Sequence, residues 1–344
     1  MIELIAEKDK WDSFISEFQY YDTYHTFDYH IISKSKEDTP ILIKYTENNV
    51  VIGIPLLLRA IKNTPYKDAI SVYGYSGPLS KGITENFNNT VFTKTLFNYF
   101  KKNNIISVFS RLNPYIKNQK KILENIGETC LLGKVVNINL NLNKEVQRQN
   151  YQSRLKNQIN KARKNCSIKT ATTNQDINEF IKIYNENMLR VKAKKTYFFD
   201  NNYFYNLVKS KSFKTIILLA IDNETKEIIS GAMFLIKKSI VQYHLSGTKN
   251  DFLHLMPTKL LIDEMRVIAN REKYTFFNLG GGLGGSNEDS LFKFKSTFSK
   301  DSYLFFIWKL IVNKKAYDEV CQKNEIKNLS SNFFPLYRLN ESFH

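Results

Sequence analysis

The stretch FNLGGGLGGSNEDSLFKFKSTFS, Phe277 to Ser299, carries five of the chain's thirteen glycines in six positions, between an apolar run and a Lys-Phe-rich one. Gly280, Gly282 and Gly285 satisfy G-x-G-x-x-G, and the YTFFNL before them reads as a strand. A dinucleotide-binding turn needs more than this: a crossover helix, a second strand and an acidic residue about 20 positions on. Here the match lies near the C-terminus, and nothing after it repeats a mononucleotide-binding half. The glycines need another explanation.

Working outward, the same order of elements occurs twice. ILIKYTENNVVIGIPLLLRAI in the first half reads as strand, turn, strand with Gly53 in the second strand, and TIILLAIDNETKEIISGAMFLI in the second half repeats it with Gly231. AISVYGYSGPLS and SIVQYHLSGTKN follow, both containing Y-x-x-S-G. Each leads to a helical pattern, TVFTKTLFNYFKK or TKLLIDEMRVIANREK, and then to a strand, IISVFSRLN or YTFFNLGGG. Upstream, WDSFISEF corresponds to INEFIKIYNENMLR. This period is too long for a solenoid. It predicts a duplicated α/β (α+β) domain with a mixed, mainly antiparallel sheet, the boundary falling near Val146 to Tyr151.

Length agrees, since 344 residues exceed the usual size of one core. Composition is globular, with 42% hydrophobic and 14% aromatic residues. The acidic start MIELIAEKDK lacks a signal peptide's basic and apolar regions, and no apolar run approaches a membrane span; a cytoplasmic location is expected. Cys130, Cys166 and Cys321 are isolated and lack zinc-site spacing, so no metal is expected. The net charge of +17 is uneven: residues 1 to 150 hold 19 Lys+Arg and 15 Asp+Glu, leaving 31 and 18 for the rest. Arg148 to Lys169 carries seven basic residues and no acid. Such a field attracts a polyanion, whether RNA, nucleotide phosphate or an anionic lipid surface, and is also what a solvated basic helix face looks like.

Helix, hairpin, strand, helix, strand is the order of the GNAT acyltransferase fold, and a tandem pair of such domains characterises the FemABX family, which this chain resembles over most of its length. SRLKNQINKARKN looks like the basic helix opening the family's second domain, and FIKIYNENMLRVKAKKTYFFDNNYF like the helices after it. Phe277 to Ser299 resembles the segment in which a strand of the Fem ligases ends in glycines, followed by an acidic-Ser-Leu turn and Phe-Lys. The resemblance implies a first GNAT-like domain over residues 1–148 on the acceptor side, a second over 149–315 holding the acyl-transfer site, and a tail, 316–344, packing back on the first domain.

The family's reaction is aminolysis of an acyl ester or thioester. It needs a neutral amine, donors awaiting the oxyanion, and both substrates held in line. Lys295 matches the lysine thought to face the acyl carbonyl; alternatively it is an exposed charge on a short helix whose Phe292, Phe294 and Phe298 are buried. Tyr243 resembles a tyrosine of the second domain's central strand, whose Ser246-Gly247 end marks where backbone can open toward a ligand; it reads equally as a core aromatic. Gly281 and Gly282 either let the strand turn sharply or leave room for substrate. Asp289 either caps the helix carrying Lys295 or orients the incoming ammonium.

Tyr75, in YGYSGPLS, resembles the family's Gly-Pro strand end lining the acceptor cleft, and Lys36 and Arg190 lie near positions where relatives place bases against acceptor pyrophosphate. Lys34 is an alternative to Lys36, and either also reads as an ordinary surface lysine. Fem ligases carry an aspartate shortly after that Gly-Pro, whereas this chain has Ser80 and Lys81, which puts the usual muropeptide acceptor in doubt. The CoA-cradling glycines of ordinary GNAT enzymes are also missing from TKNDFLHLMPTKLL. That favours aminoacyl-tRNA over acyl-CoA as co-substrate, with Arg154, Lys161, Arg163 and Lys164 meeting its phosphates, and no tightly bound cofactor. The long coiled-coil arm of some members has no heptad counterpart.

The expected activity is transfer of an aminoacyl or acyl group onto an amine of a nucleotide- or lipid-linked cell-envelope precursor, a muropeptide or an amino-sugar. Expected partners are tRNA and, peripherally, the inner membrane surface, with no DNA. Two alternatives remain open on the sequence: an acetyl-CoA-dependent N-acetyltransferase of surface-polysaccharide synthesis, and a non-catalytic basic RNA-binding module.

Overall fold

A computed structural model describes residues 1–326 and 331–340. The chain forms two compact units, Met1–Leu132 with Phe305–His344, and Gly133–Leu304.

The first unit opens with β1 (Ile2–Ile5), α1 (Lys8–Ser16) and α2 (Phe27–Ser33), followed by the hairpin β2 (Thr39–Glu47) and β3 (Val50–Ala60). Next come β4 (Lys67–Ile70), β5 (Leu79–Lys81), α3 (Thr90–Lys102), β6 (Ile105–Arg111) and α4 (Gln119–Ile122). β7 (Glu128–Asn139) carries the chain into the second unit, which contains α5 (Lys144–Gln149), α6 (Ser153–Asn165), β8 (Cys166–Thr170), α7 (Asn174–Arg190) and α8 (Asn201–Lys209). It continues with β9 (Lys214–Asp222), β10 (Ile228–Lys237), β11 (Ile240–Thr248), α9 (Pro257–Arg271), β12 (Phe276–Gly280) and α10 (Ser290–Ser296). β13 (Ser302–Ile311) and α11 (Lys314–Lys323) return to the first unit.

Each unit builds the same mixed, mostly antiparallel sheet flanked by helices. In the first the order is β1-β2-β3-β4-β6-β13, with β5 beside β3; in the second it is β8-β9-β10-β11-β12-β7. The pairs β4–β6 and β11–β12 are parallel, because a helix (α3 or α9) crosses over between them. Both crossover helices follow helical periodicity: α3 buries Phe92, Leu96 and Phe100, and α9, with Pro257 at its first position, buries Leu261, Met265 and Ala269.

The glycines at matched places do the same work in both halves. A Cβ at Gly53 would come 2.8 Å from the Phe14 ring of α1, and one at Gly231 would come 2.4 Å from the Phe180 ring of α7. In each unit a bare strand position therefore admits an aromatic ring of the upstream helix, and opposite neighbours such as Ile52 and Ala232 face the crossover helix instead.

The compact units divide inside β7 and near the start of β13, whereas the sequence boundary at 148/149 follows the repeated order of elements and the family resemblance. The reason is pairing. Val136 to Asn139 of β7 pair with β12, and Val136 and Ile138 lie in the second unit's core; Ile307 to Ile311 of β13 pair with β6 of the first. The C-terminal residues 331–340 pack on the first unit, where Tyr337 and Arg338 both hold Asp68, at 3.1 and 2.5 Å. Residues 327–330 and 341–344 of the expected tail lie outside the described residues.

Candidate active site

β12 leaves both of its neighbours within two residues. Its parallel pairing with β11 covers only Ile240–Gln242 against Phe276–Asn278, and its register with β7 slips between Asn278 and Gly280. β11 runs on through Thr248 paired to β10 alone, with a bulge that leaves His244 unmatched between Tyr243 and Leu245. The two strands therefore diverge after Gln242, and the edges they turn toward each other are no longer paired.

Glycine makes the β12 end possible. Gly280 has φ +80°, a left-handed conformation that other residues adopt only under strain. A Cβ at Gly282 would stand 1.8 Å from Asp289 Oδ2 and 2.0 Å from the Ser286 carbonyl oxygen. Asp289 occupies that space because it caps α10: Oδ1 accepts the Leu291 and Phe292 N–H groups at 2.7 and 3.1 Å, while Oδ2 accepts the Leu283 N–H at 2.9 Å. One carboxylate thus ties the glycine turn to the start of the helix.

Lys295 sits on the inner side of α10. It is 8% exposed, whereas Phe292 and Phe294 are half-buried and Phe298 is fully buried. Its Nζ donates to the Gly281 carbonyl oxygen at 2.8 Å. Burial pulls its pKa from 10.5 down to about 8, partly offset by the negative charge of Asp289. A cation held against a carbonyl oxygen in a desolvated place is what a developing acyl oxyanion requires.

On β11, Tyr243 packs against the apolar core, and its hydroxyl pairs with Ser246 Oγ. Burial pushes the phenol up to about 12, with the serine bond opposing, so it remains a protonated donor at neutral pH. A Cβ at Gly247 would come 2.7 Å from the Ile183 carbonyl oxygen, so that glycine admits the backbone of α7. Gly281, Gly282, Asp289 and Lys295 are brought together directly, while Tyr243, Ser246 and Gly247 line the diverging strand. Arg190 ends α7, exposed and bonded to Asn187 Oδ1.

Two predicted residues belong to the first unit. Lys36 is exposed after α2, and the Lys34 ammonium donates to the Ser35 and Lys36 carbonyl oxygens, both at 3.1 Å, which commits Lys34 to its own turn. The Tyr75 ring meets those of Tyr24 and Phe305 edge-on at 6.0 and 4.9 Å.

The basic helix α6 buries Leu155, Ile159 and Ala162 and leaves Arg154, Lys161 and Lys164 exposed. Arg163 differs from these three. It pairs with Asp263 at 3.0 Å and with Glu264 at 3.3 Å. Asp263, 1% exposed, also holds Arg266 at 3.0 Å and Arg148 at 3.4 Å, and accepts from the Tyr151 hydroxyl at 3.1 Å. The sequence reading missed this anchor because, apart from Arg266, its partners lie 100 or more residues away. It also missed Lys259, whose Nζ donates to Gln158 at 2.6 Å and whose pKa is lowered by burial and by nearby Arg154.

Among the described residues, no group of three or more His, Cys, Asp or Glu side chains is placed to hold a metal ion, and no helix is long and apolar enough to cross a membrane.

Residues 219–301, which include Tyr243, the glycines, Asp289 and Lys295, match the FemAB family. The fold is that of FemX, at 12% identity and TM-score 0.71, covering 92% of this chain and 99% of that one. L-PGS from Bacillus licheniformis is similar at 12% identity and TM-score 0.57, covering 90% of this chain and 93% of that one. The C-terminal domain of a putative lysylphosphatidylglycerol synthetase from Agrobacterium fabrum is similar at 10% and 0.57, covering 93% and 97%. Comparison with curated proteins returns no match. Fold and family segment together define the class: a fold like that of FemX, with the FemAB family's segment over residues 219–301.

Proposed function

We propose that this protein transfers an aminoacyl group from an aminoacyl-tRNA onto an amine of a cell-envelope precursor, with Lys295 as the oxyanion-stabilising residue. The observation that carries the reading is the buried Lys295 ammonium donating to a carbonyl oxygen at the open end of β12, within the FemAB-matched segment. Similarity to FemX and to the C-terminal domain of a lysylphosphatidylglycerol synthetase supports aminoacyl transfer in envelope biosynthesis.

In the proposed step the neutral acceptor nitrogen attacks the acyl carbon, a C–N bond forms, and the carbonyl electrons move to an oxyanion facing Lys295. Collapse breaks the ester C–O bond, and the departing 3′-oxygen takes up a proton as the attacking nitrogen sheds one, leaving the amide and a free 3′-hydroxyl. Tyr243, held protonated, stands near the leaving group; Asp289 fixes the turn and supports the charge on Lys295. Arg154, Lys161 and Lys164 meet donor phosphates. The first domain, 1–148, carries the acceptor side with Lys36 and Tyr75, the second, 149–315, the transfer site, and Arg190 meets acceptor phosphate. The reaction takes place in the cytoplasm, at the inner membrane surface where the acceptor is lipid-linked.

The test is transfer of label from a mixture of charged tRNAs, and separately from acyl-CoAs, to nucleotide-linked muropeptide, amino-sugar and phospholipid acceptors. Label moving from tRNA supports the proposal. Label moving only from an acyl-CoA replaces the tRNA donor with CoA, and no transfer from either removes the enzymatic reading.

A further inference from the structure

β12 carries a second polar side chain that this mechanism leaves unused. Asn278 lies between Phe277 and Leu279, both core residues, so its side chain is on the opposite face of the sheet. It is 0% exposed. Its Oδ1 accepts the Gly280 N–H at 2.8 Å, and because only an oxygen can meet that N–H, the bond fixes which end of the amide is which. The other end, Nδ2, is buried with no partner.

A buried donor left unsatisfied is costly, and such groups are rare enough to demand a cause. The neighbouring amide on β7 is not in the same position, since Asn137 Nδ2 donates to Asp301 Oδ2 at 2.8 Å. Asn278 is also the residue at which the parallel pairing with β11 stops and after which the register with β7 slips. Its Oδ1 holds the Gly280 N–H while Lys295 Nζ holds the Gly281 carbonyl, so the two side chains grip successive residues of the strand end.

We propose that Asn278 Nδ2 is a catalytic hydrogen-bond donor, satisfied when the carbonyl oxygen of the acyl donor enters the opening between β11 and β12. The inference rests on the acyl-transfer reading above. Nδ2 is closed to solvent in the free chain, and residues 280–285 are glycine at five of six positions. A Cβ at Gly284 would meet nothing within 4 Å, so the segment borders open space at that residue.

Asn278→Asp tests this, because it keeps the shape and the acceptor for the Gly280 N–H but, when ionised, cannot donate. With a donor that the wild type uses, kcat at pH 8 should fall by about 100-fold, the usual effect of one oxyanion donor. Activity should recover as the pH is lowered and the buried carboxyl regains its proton. A kcat within threefold of wild type overturns the inference while leaving the acyl-transfer reading intact. If the wild type transfers from neither charged tRNA nor acetyl-CoA, that reading fails by itself. Asn278 is then judged by its side-chain amide NMR signals, as it is if the variant does not fold. A shift on adding acetyl-CoA or a 3′-amide-linked alanyl-adenosine supports the donor role and names the source, and no shift with either overturns it. A water found on Nδ2 with two further protein partners, both with and without these probes, also overturns it.

Discussion

Burial takes the Lys295 ammonium out of water with one carbonyl oxygen as its partner, and the consequence is opposite for stability and for catalysis. The native pKa of about 8 lies below the unfolded 10.5. Below pH 8 the lysine is charged in both states, and folding bears the whole penalty of burying it; between about 8 and 10.5 only the unfolded chain holds the proton, so stability rises with pH. Lys295→Met should therefore stabilise the fold at pH 7 by up to about 3 kcal/mol, less the lost hydrogen bond, as read by urea unfolding. The same change should lower kcat and kcat/KM together by roughly 100-fold. In the wild type, kcat should fall as pH rises through about 8, and this limb should be missing from Lys295→Met. Asp289→Asn keeps a good cap but removes the charge that raises the Lys295 pKa, so the limb should move to lower pH. Phe-Lys at 294 and 295 marked the place in the sequence. Which of the two is buried was not legible, because the burial of Lys295 depends on a carbonyl oxygen fourteen residues away.

At the level of elements, the hairpins, crossover helices and strand ends were readable because each is specified locally and occurs twice. β7 and β13 were not, since neither has a turn signal to its partner: each follows one strand in the chain and pairs with another far away, β7 with β12 and β13 with β6. The glycine segment shows how unequal its members are. Gly282→Ala would drive a methyl into Asp289 Oδ2 at 1.8 Å, breaking the tie between turn and helix, whereas Gly284→Ala meets nothing and pays only for its φ of +62°, about 1–2 kcal/mol. Steady-state kinetics should show activity lost in the first and largely retained in the second. On α6, Arg154 has no ion-pair partner among the described residues, while Arg163 is paired to Asp263 and Glu264. Arg154→Ala should weaken donor binding and flatten its salt dependence with kcat unchanged. Arg163→Ala should instead lower the melting temperature, and the opposite pattern would move the donor contact to the paired arginine.

Across the whole chain, the duplication was legible from Gly53 and Gly231 and the two Y-x-x-S-G stretches, but the closure of the first unit by the C-terminus was legible only as a family resemblance. Its physical basis is Asp68, 1% exposed on β4 and held by Arg59 at 2.7 Å as well as by Tyr337 and Arg338. Tyr337 also bonds Ser107 at 2.7 Å and sits in an apolar cluster with Ile61, Ile106, Tyr317 and Val320. Asp68→Ala leaves the Arg59 guanidinium, 20% exposed, without its carboxylate, a loss of about 3–5 kcal/mol when a buried pair is broken. The measurement can be confined to one unit, because both tryptophans, Trp11 and Trp308, are fully buried in the first. Tryptophan fluorescence in a urea titration should therefore show a lowered midpoint for Asp68→Ala. Below that midpoint kcat should stay within about twofold of wild type, since Lys295 and Asp289 belong to the second unit and removing Asp68 deletes no transition-state contact. A fall in kcat without a shift in the fluorescence midpoint would mean that Asp68 acts in the chemistry and not in closing the first unit.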